Sequence, residues 1–333
     1  MRPSTLLSIS ASALPLALSA PLSPPPVRTR SITAIPPGLY ASVHPSFAGA
    51  PIVLSDPRPT AASSPGPGRY AISYTPYTSD GLCKSSETIT SDIARIHAAG
   101  FSAVRLYATD CHFVRAVGLA AVSHNLSLIL GLHISEQGLN VSRIDEQVSQ
   151  IHAFASEDAT HLAAIDAVIV GNEVIFNHFA SVSEMVTMLD NVRSSLRKIG
   201  YSGPVTTTEP YGTMVEHADS LCPAIDLVAA NLLPFFNADS TARSAADTVS
   251  EQIAALQILC EPSSDVDIEI AWPSAGEPNG LAVPGVNEQR IAFAGMADAI
   301  GSRAVFSSFE DDGWRDAGDF GVETHWGSIQ VFE

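Results

Sequence analysis

Two glutamates stand where a carboxylate is costly to bury. In Val168-Ile169-Val170-Gly171-Asn172-Glu173 a near-continuous apolar run delivers Asn and Glu at its tip. In Asp267-Ile268-Glu269-Ile270-Ala271-Trp272-Pro273-Ser274, Glu269 is embedded among apolar residues near the end of a second run. A carboxylate removed from water without partners costs several kcal/mol, so each needs a reason to be there. One such Glu is as readily an ion-pair or hydrogen-bond partner as a reactive group. Two, brought face to face, have the chemistry of glycosidic bond cleavage. One must be protonated to assist the leaving oxygen, and the other ionised to attack the anomeric carbon.

Both glutamates belong to a longer alternation. Short β-rich runs recur at 70–74, 103–107, 127–133, 167–172, 204–208, 226–231, 266–272 and 304–309. Helical patterns lie between them. Over 86–99, Ile89, Ile93, Ile96 and Ala99 share one face and Gly100 stops the helix. Ser181 and Glu184 form a capping-box pattern. Met185, Leu189, Val192, Leu196 and Ile199 continue that helix's apolar face, and Gly200 ends it. Eight β-α units in this length match a TIM barrel, (β/α)8. A doubly wound open sheet is the alternative, but no Gly-rich dinucleotide fingerprint follows the first strand. In a barrel, strands four and seven lie on opposite sides. Glu173 and Glu269 can then face each other across the mouth, at the carboxyl ends of the strands where such folds carry their chemistry.

The barrel does not begin at residue 1. Residues 1–69 carry five Arg and one acid and hold 14 of the chain's 23 prolines. The remaining 264 residues are strongly acidic, so that the whole chain reaches a formal −18. The start, MRPSTLLSISASALPLALSA, has one early positive charge, an apolar stretch and small residues at its end. That is the layout of a signal peptide over 1–20, with a mitochondrial presequence as the second reading. Residues 21–68, rich in Pro, Ser and Gly, are expected to be a disordered linker or pro-segment, since no helix or strand propagates through them. The expected catalytic barrel is 69–333. No stretch reaches the length of apolar sequence that spans a membrane. The acidic balance argues against a nucleic-acid partner. The ten His and four Cys show neither a His-Glu-x-x-His helix nor zinc spacing, so no metal or cofactor is expected. No Gly-x-Ser-x-Gly elbow appears.

Over about 70–330 the sequence resembles glycoside hydrolase family 17, especially its secreted fungal cell-wall branch of β-glucosidases and β-1,3-glucanases. The resemblance rests on Tyr74-Thr75-Pro76-Tyr77, Asp80-Gly81-Leu82-Cys83-Lys84, Arg105-Leu106-Tyr107-Ala108-Thr109-Asp110-Cys111 and Val170-Gly171-Asn172-Glu173. It continues through Thr206-Thr207-Thr208-Glu209-Pro210, Ala230-Asn231-Leu232-Leu233-Pro234-Phe235-Phe236, Glu269-Ile270-Ala271-Trp272-Pro273-Ser274 and Asp311-Asp312-Gly313-Trp314. It implies that Glu173 is the general acid/base and Glu269 the nucleophile of a retaining reaction, with carboxyls about 5–5.5 Å apart. It further implies that Asn172 bonds the sugar 2-hydroxyl, that Asn231 binds substrate, and that Tyr107, Phe235, Phe236, Trp272 and Trp314 wall the cleft. Aromatic faces suit the apolar C–H faces of sugars. Core packing is the alternative for each aromatic.

The chain departs from the family in places. Ile270-Ala271 stands for the family's Thr-Gly beside the nucleophile, which is expected to reshape the reducing-side subsites. Asp312 stands for a Glu, one methylene shorter. The extra cysteines of fungal relatives after Trp-Pro-Ser and near the chain end are missing. Cys83 and Cys111 follow neighbouring strands and are expected to pair; Cys222 and Cys260 flank the strand-six unit and could form a second bridge. Four free thiols is the reading if the protein is cytosolic. Asn125-Leu126-Ser127 and Asn140-Val141-Ser142 are glycosylation acceptors if the chain is secreted, the second favoured because the first overlaps a strand start.

The expected function is therefore a secreted, monomeric, cell-wall hydrolase of β-linked glucose polymers or oligomers. A transglucosylase using the same two Glu is the first alternative, and a non-catalytic glucan-binding barrel a more distant one. Cleft shape, which decides endo against exo action, lies in loops that the sequence does not specify.

Overall fold

Strands buried on both faces need apolar side chains on both, and the runs found in the sequence supply them. In a computed structural model, which describes residues 70–261, 266–300 and 304–333, all eight form strands. They are β1 Ala71–Ser73, β2 Ala103–Arg105, β3 Ser127–Leu132, β4 Ile165–Asn172, β5 Val205–Pro210, β6 Val228–Leu232, β7 Val266–Ile270 and β8 Ala304–Phe306. The strands pair in parallel in chain order, and β8 closes on β1 to complete the barrel. This is the (β/α)8 architecture. The expected signal peptide and linker lie outside the described residues.

Alternation along each strand sorts the side chains. Ala71, Ala103, Ile129, Ala167, Ile169, Leu227, Ala229 and Val305 form a small apolar cluster in the lumen. Ile72, Val104, Leu128, Val168, Val205, Val228 and Ile268 point the other way, into the larger core under the helices. Two residues further along the lumenal face come Ser73, Arg105, Asn231 and Glu269, all buried. Apart from Asp267 of β7, which lies in register with Ala229, and Thr206 of β5, the lumen thus changes from apolar to polar towards the carboxyl ends of the strands, which is where a barrel builds its site.

The helices follow the sequence signals closely. Helix Ser86–Ala98 buries Ile89, Ile93 and Ile96. Helix Val182–Lys198 starts at Ser181 with both arms of the capping box made and buries Met185, Leu189, Val192 and Leu196. Cys83 pairs with Cys111 and Cys222 with Cys260, so neither pair is free. Among the described residues no helix is long and apolar enough to cross a membrane.

Candidate active site

β7 delivers Glu269 to the lumen directly opposite Asn231 of β6. Glu269 is only 5% exposed, yet both of its oxygens are partnered. Arg105 of β2 donates from Nη1 to Oε2, and the Tyr107 hydroxyl donates to Oε1. Arg105 is itself buried and its guanidinium lies 4.7 Å from the centre of the Tyr107 ring. A buried ion pair of this kind is sustained when further hydrogen bonds satisfy the remaining protons. The second arm of Arg105, Nη2, meets part of that need by donating to Asn172 Oδ1 at 2.9 Å, while the buried Nε makes no hydrogen bond among the described residues.

β4 reaches the same place by breaking its own alternation. Val170 faces outward into the helix-side core, so a regular strand would send Asn172 outward as well. The pairing of β4 with β5 shifts register between Ile169 and Asn172, and Gly171 adopts φ 74°. That left-handed residue turns Asn172 inward. Glu173 follows at φ 56°, a conformation uncommon for a residue with a Cβ, and its N–H donates to Thr208 O at 2.8 Å. Backbone outliers of this kind persist only where the surrounding structure over-determines them, and they cluster at active sites and ligand clamps.

Asn231 links Glu173 to Asn172. Its Nδ2 donates to Glu173 Oε1 at 2.7 Å and to Asn172 Oδ1 at 3.3 Å, while its Oδ1 accepts from the Thr208 hydroxyl at 3.2 Å. Arg105 only donates, so Asn172 must present its oxygen there, leaving its amide N–H groups for another acceptor. A continuous chain of hydrogen bonds therefore runs Glu173–Asn231–Asn172–Arg105–Glu269. Burial pushes the Glu173 carboxyl above the usual carboxylate range; the Asn231 bond opposes this, Glu323 adds to it, and Arg315 and Arg105 oppose it. The two carboxyls thus sit in contrasting surroundings, one facing an amide and the other a guanidinium.

A third glutamate lies behind this turn. Glu209 of β5 is completely buried. Its Oε1 accepts from Ile175 N at 2.9 Å and its Oε2 from Phe176 N at 3.1 Å. Burial lifts its pKa to about 7, against the lowering effect of those backbone donors and with a further upward push from Glu173.

The aromatic residues divide. Tyr107 touches Glu269 directly. Trp314 is half-buried, packs edge-on against Tyr77 with ring centres 5.2 Å apart, and donates from Nε1 to Asp312 at 3.2 Å. Phe236 is also half-buried. Phe235 and Trp272, expected as cleft walls, are instead fully buried, and Trp272 Nε1 is consumed by Val283 O at 3.0 Å. They pack on each other and, through Phe235, on Phe320 and Trp326, so they support the rim from beneath. Rings this large are drawn into whatever core space the following loops close over. Sequence reasoning assigned no role to Arg105, although its place two residues before Tyr107 on one strand face was a usable signal. It also assigned none to Trp326 or to the Arg315–Glu323 pair, whose side chains lie 3.7 Å apart.

Asn125 and Asn140 are both exposed. Asn125 has φ 56° just before β3, and Asn140 caps helix Val141–Glu157 by accepting from Arg143 N at 3.2 Å. Among the described residues no group of three or more His, Cys, Asp or Glu is placed to hold a metal ion.

A family model described as "BtgE/BtgC glycoside hydrolase domain" matches residues 71–327. "Probable beta-glucosidase btgE" of Aspergillus fumigatus is 40% identical over 265 residues, which cover 80% of this chain and 46% of that protein. The protein of the same name from Aspergillus clavatus is 39% identical over 274 residues, covering 82% of this chain and 47% of that one. The chain thus spans about half the length of the curated relatives it matches. In fold it is similar to the glycoside hydrolase family 17 beta-1,3-glucanosyltransferase from Rhizomucor miehei. The TM-score is 0.66 at 19% identity, covering 78% of this chain and 92% of that one. An active-site mutant of that enzyme in complex with laminaritriose gives a TM-score of 0.64, also at 19% identity, with the same coverage of both chains.

Proposed function

This chain belongs to the BtgE/BtgC glycoside hydrolase family, and from that premise we propose that it is a retaining glycosidase of β-linked glucans, related to glycoside hydrolase family 17. Glu269 is the nucleophile and Glu173 the general acid/base. The observation that carries the reading is the hydrogen-bond chain through Asn231, Asn172 and Arg105, which holds two lumenal carboxyls in one mouth while giving them opposite surroundings.

The chemistry follows from those surroundings. Glu173, its pKa lifted by burial, retains a proton to give to the glycosidic oxygen as the bond breaks. Glu269, aimed by Arg105 and Tyr107, attacks the anomeric carbon and forms a glycosyl ester. Glu173, now ionised, takes a proton from the incoming water, which displaces Glu269 and restores the anomeric configuration. The free amide of Asn172 donates to the sugar 2-hydroxyl. Half-buried Tyr107, Phe236 and Trp314 offer aromatic surface to the sugar rings.

Linkage and acceptor belong to the same proposal. The substrate is a β-1,3-linked glucose polymer or oligomer: the name of the relatives supports a β-linked glucose, and that of the family 17 structure the β-1,3 linkage. If a sugar hydroxyl enters in place of water, the same residues perform transglucosylation, the reaction named in that structure. The chain acts outside the cell at the wall, in keeping with the amino-terminal pattern over 1–20, the two disulfides and the exposed acceptor asparagines.

The test is product analysis on laminarin, laminari-oligosaccharides and cello-oligosaccharides. Glu269→Gln is expected to lose turnover almost completely, and Glu173→Gln to lose about 10²–10⁴-fold on unactivated substrates. Products longer than the substrate identify transfer. Near-wild-type activity in Glu269→Gln removes it from the mechanism, and glucan binding without turnover in the wild type identifies a binding barrel.

A further inference from the structure

We propose that Glu209 is a positioning residue for the acid step: it clamps the turn that aims Glu173. The proposal rests on the reading of Glu173 as the general acid. Glu209 lies on β5 one residue after Thr208, whose carbonyl holds the Glu173 N–H and whose hydroxyl bonds Asn231. Thr208 therefore faces the lumen, and Glu209 points to the other side of the sheet, under the segment that leaves β4. There it spends both oxygens on consecutive backbone donors, Ile175 N and Phe176 N, two and three residues after Glu173.

Three features make this more than packing. Glu173 holds a left-handed backbone, which persists only where neighbouring bonds over-determine it. The turn is held from both ends by adjacent residues of one strand, at Glu173 N by Thr208 O and at Ile175 and Phe176 by Glu209. A buried carboxyl is also a costly way to satisfy two amides, unless two acceptors at fixed spacing are required. A carboxyl accepts at both oxygens whether or not it carries a proton, whereas a glutamine amide accepts at only one. Glu209→Gln therefore keeps size and polarity but leaves one amide of the turn without its acceptor.

A misplacement of the acid by a fraction of an ångström slows proton donation and leaves nucleophilic attack largely intact. The readout is kcat/KM, which reports the glycosylation step, on two aryl β-laminaribiosides. One carries a poor leaving group that needs the proton, and the other an activated leaving group that does not. Glu209→Gln, and Glu209→Asp with its carboxyl one methylene short, are expected to lose on the order of 10²-fold on the first substrate and much less on the second. Glu173→Gln must show the same skew. The ratio of the two rates is independent of how much enzyme is folded, so partial unfolding does not imitate the result. Equal losses on both substrates, or no loss, overturn the role of Glu209 while the skew in Glu173→Gln leaves the acid in place. No skew in Glu173→Gln removes both.

Discussion

At the scale of single residues, the side chain that joins the two halves of the site is Asn231. Its Nδ2 bond to Glu173 favours the charged form of that acid, opposing the effect of burial. Removing the bond therefore raises the Glu173 pKa further. In Asn231→Ala the alkaline limb of the pH–rate profile is expected to move to higher pH, because the acid keeps its proton longer. The rate itself falls by about 10-fold to 100-fold as Asn172 and Glu173 lose their common donor. A pH series of kcat/KM on laminari-oligosaccharides checks both. An alkaline limb that moves down, or stays, separates Asn231 from the titration of Glu173. Arg105 plays the matching part on the other side: it is the cation that makes a nearly water-free Glu269 tolerable, and it ties that residue to Asn172.

At the scale of elements, the end of β4 carries the greatest demand. Gly171 supplies the left-handed step that reverses the side-chain parity, and it does so in a crowded place. A Cβ there would come within 2.4 Å of Val174 Cγ2, a branched and therefore stiff neighbour. The positive φ alone costs an ordinary residue about 1–2 kcal/mol. Gly171→Ala is expected to destabilise the fold by at least about 2 kcal/mol in denaturant unfolding. Its kcat/KM is expected to fall further than the loss of folded enzyme explains, since Asn172 and Glu173 are the next two residues. A variant with normal kcat/KM per folded molecule would show that the turn's shape does not matter to the chemistry. β5 is the counterpart of β4, with Thr208 and Glu209 holding the turn from opposite faces of one strand. The short strands β1, β2 and β8 are three residues each, so the loops beyond them carry Tyr107, Asp312 and Trp314.

For the whole molecule, the buried carboxyls set how stability follows pH. Glu209 titrates near 7 when folded, and burial also lifts Glu173 and Asp312. An unfolded Glu titrates near about 4.3, so between these values the folded state binds the extra proton. Stability from Glu209 is fully present below the unfolded value and is lost as pH rises through about 7, and the upward shifts of Glu173 and Asp312 act in the same direction. For Glu209 the difference is on the order of 3 kcal/mol. The melting temperature is expected to fall between pH 5 and pH 8, and Glu209→Gln to flatten that slope. A rise over the same interval would contradict the burial of these acids as the dominant influence. The sequence by itself determined the number and order of the strands, the helix caps and the presence of Glu173 and Glu269 at strand tips. Those follow from periodicity and local backbone chemistry, which act within a few residues. Only the tertiary structure decided that Asn172 turns inward against its strand's alternation, that Arg105 links it to Glu269, that Glu209 grips the turn behind Glu173, and that Phe235 and Trp272 lie beneath the cleft. Each of these depends on which distant residue fills the space opposite, and that is settled only when the barrel closes.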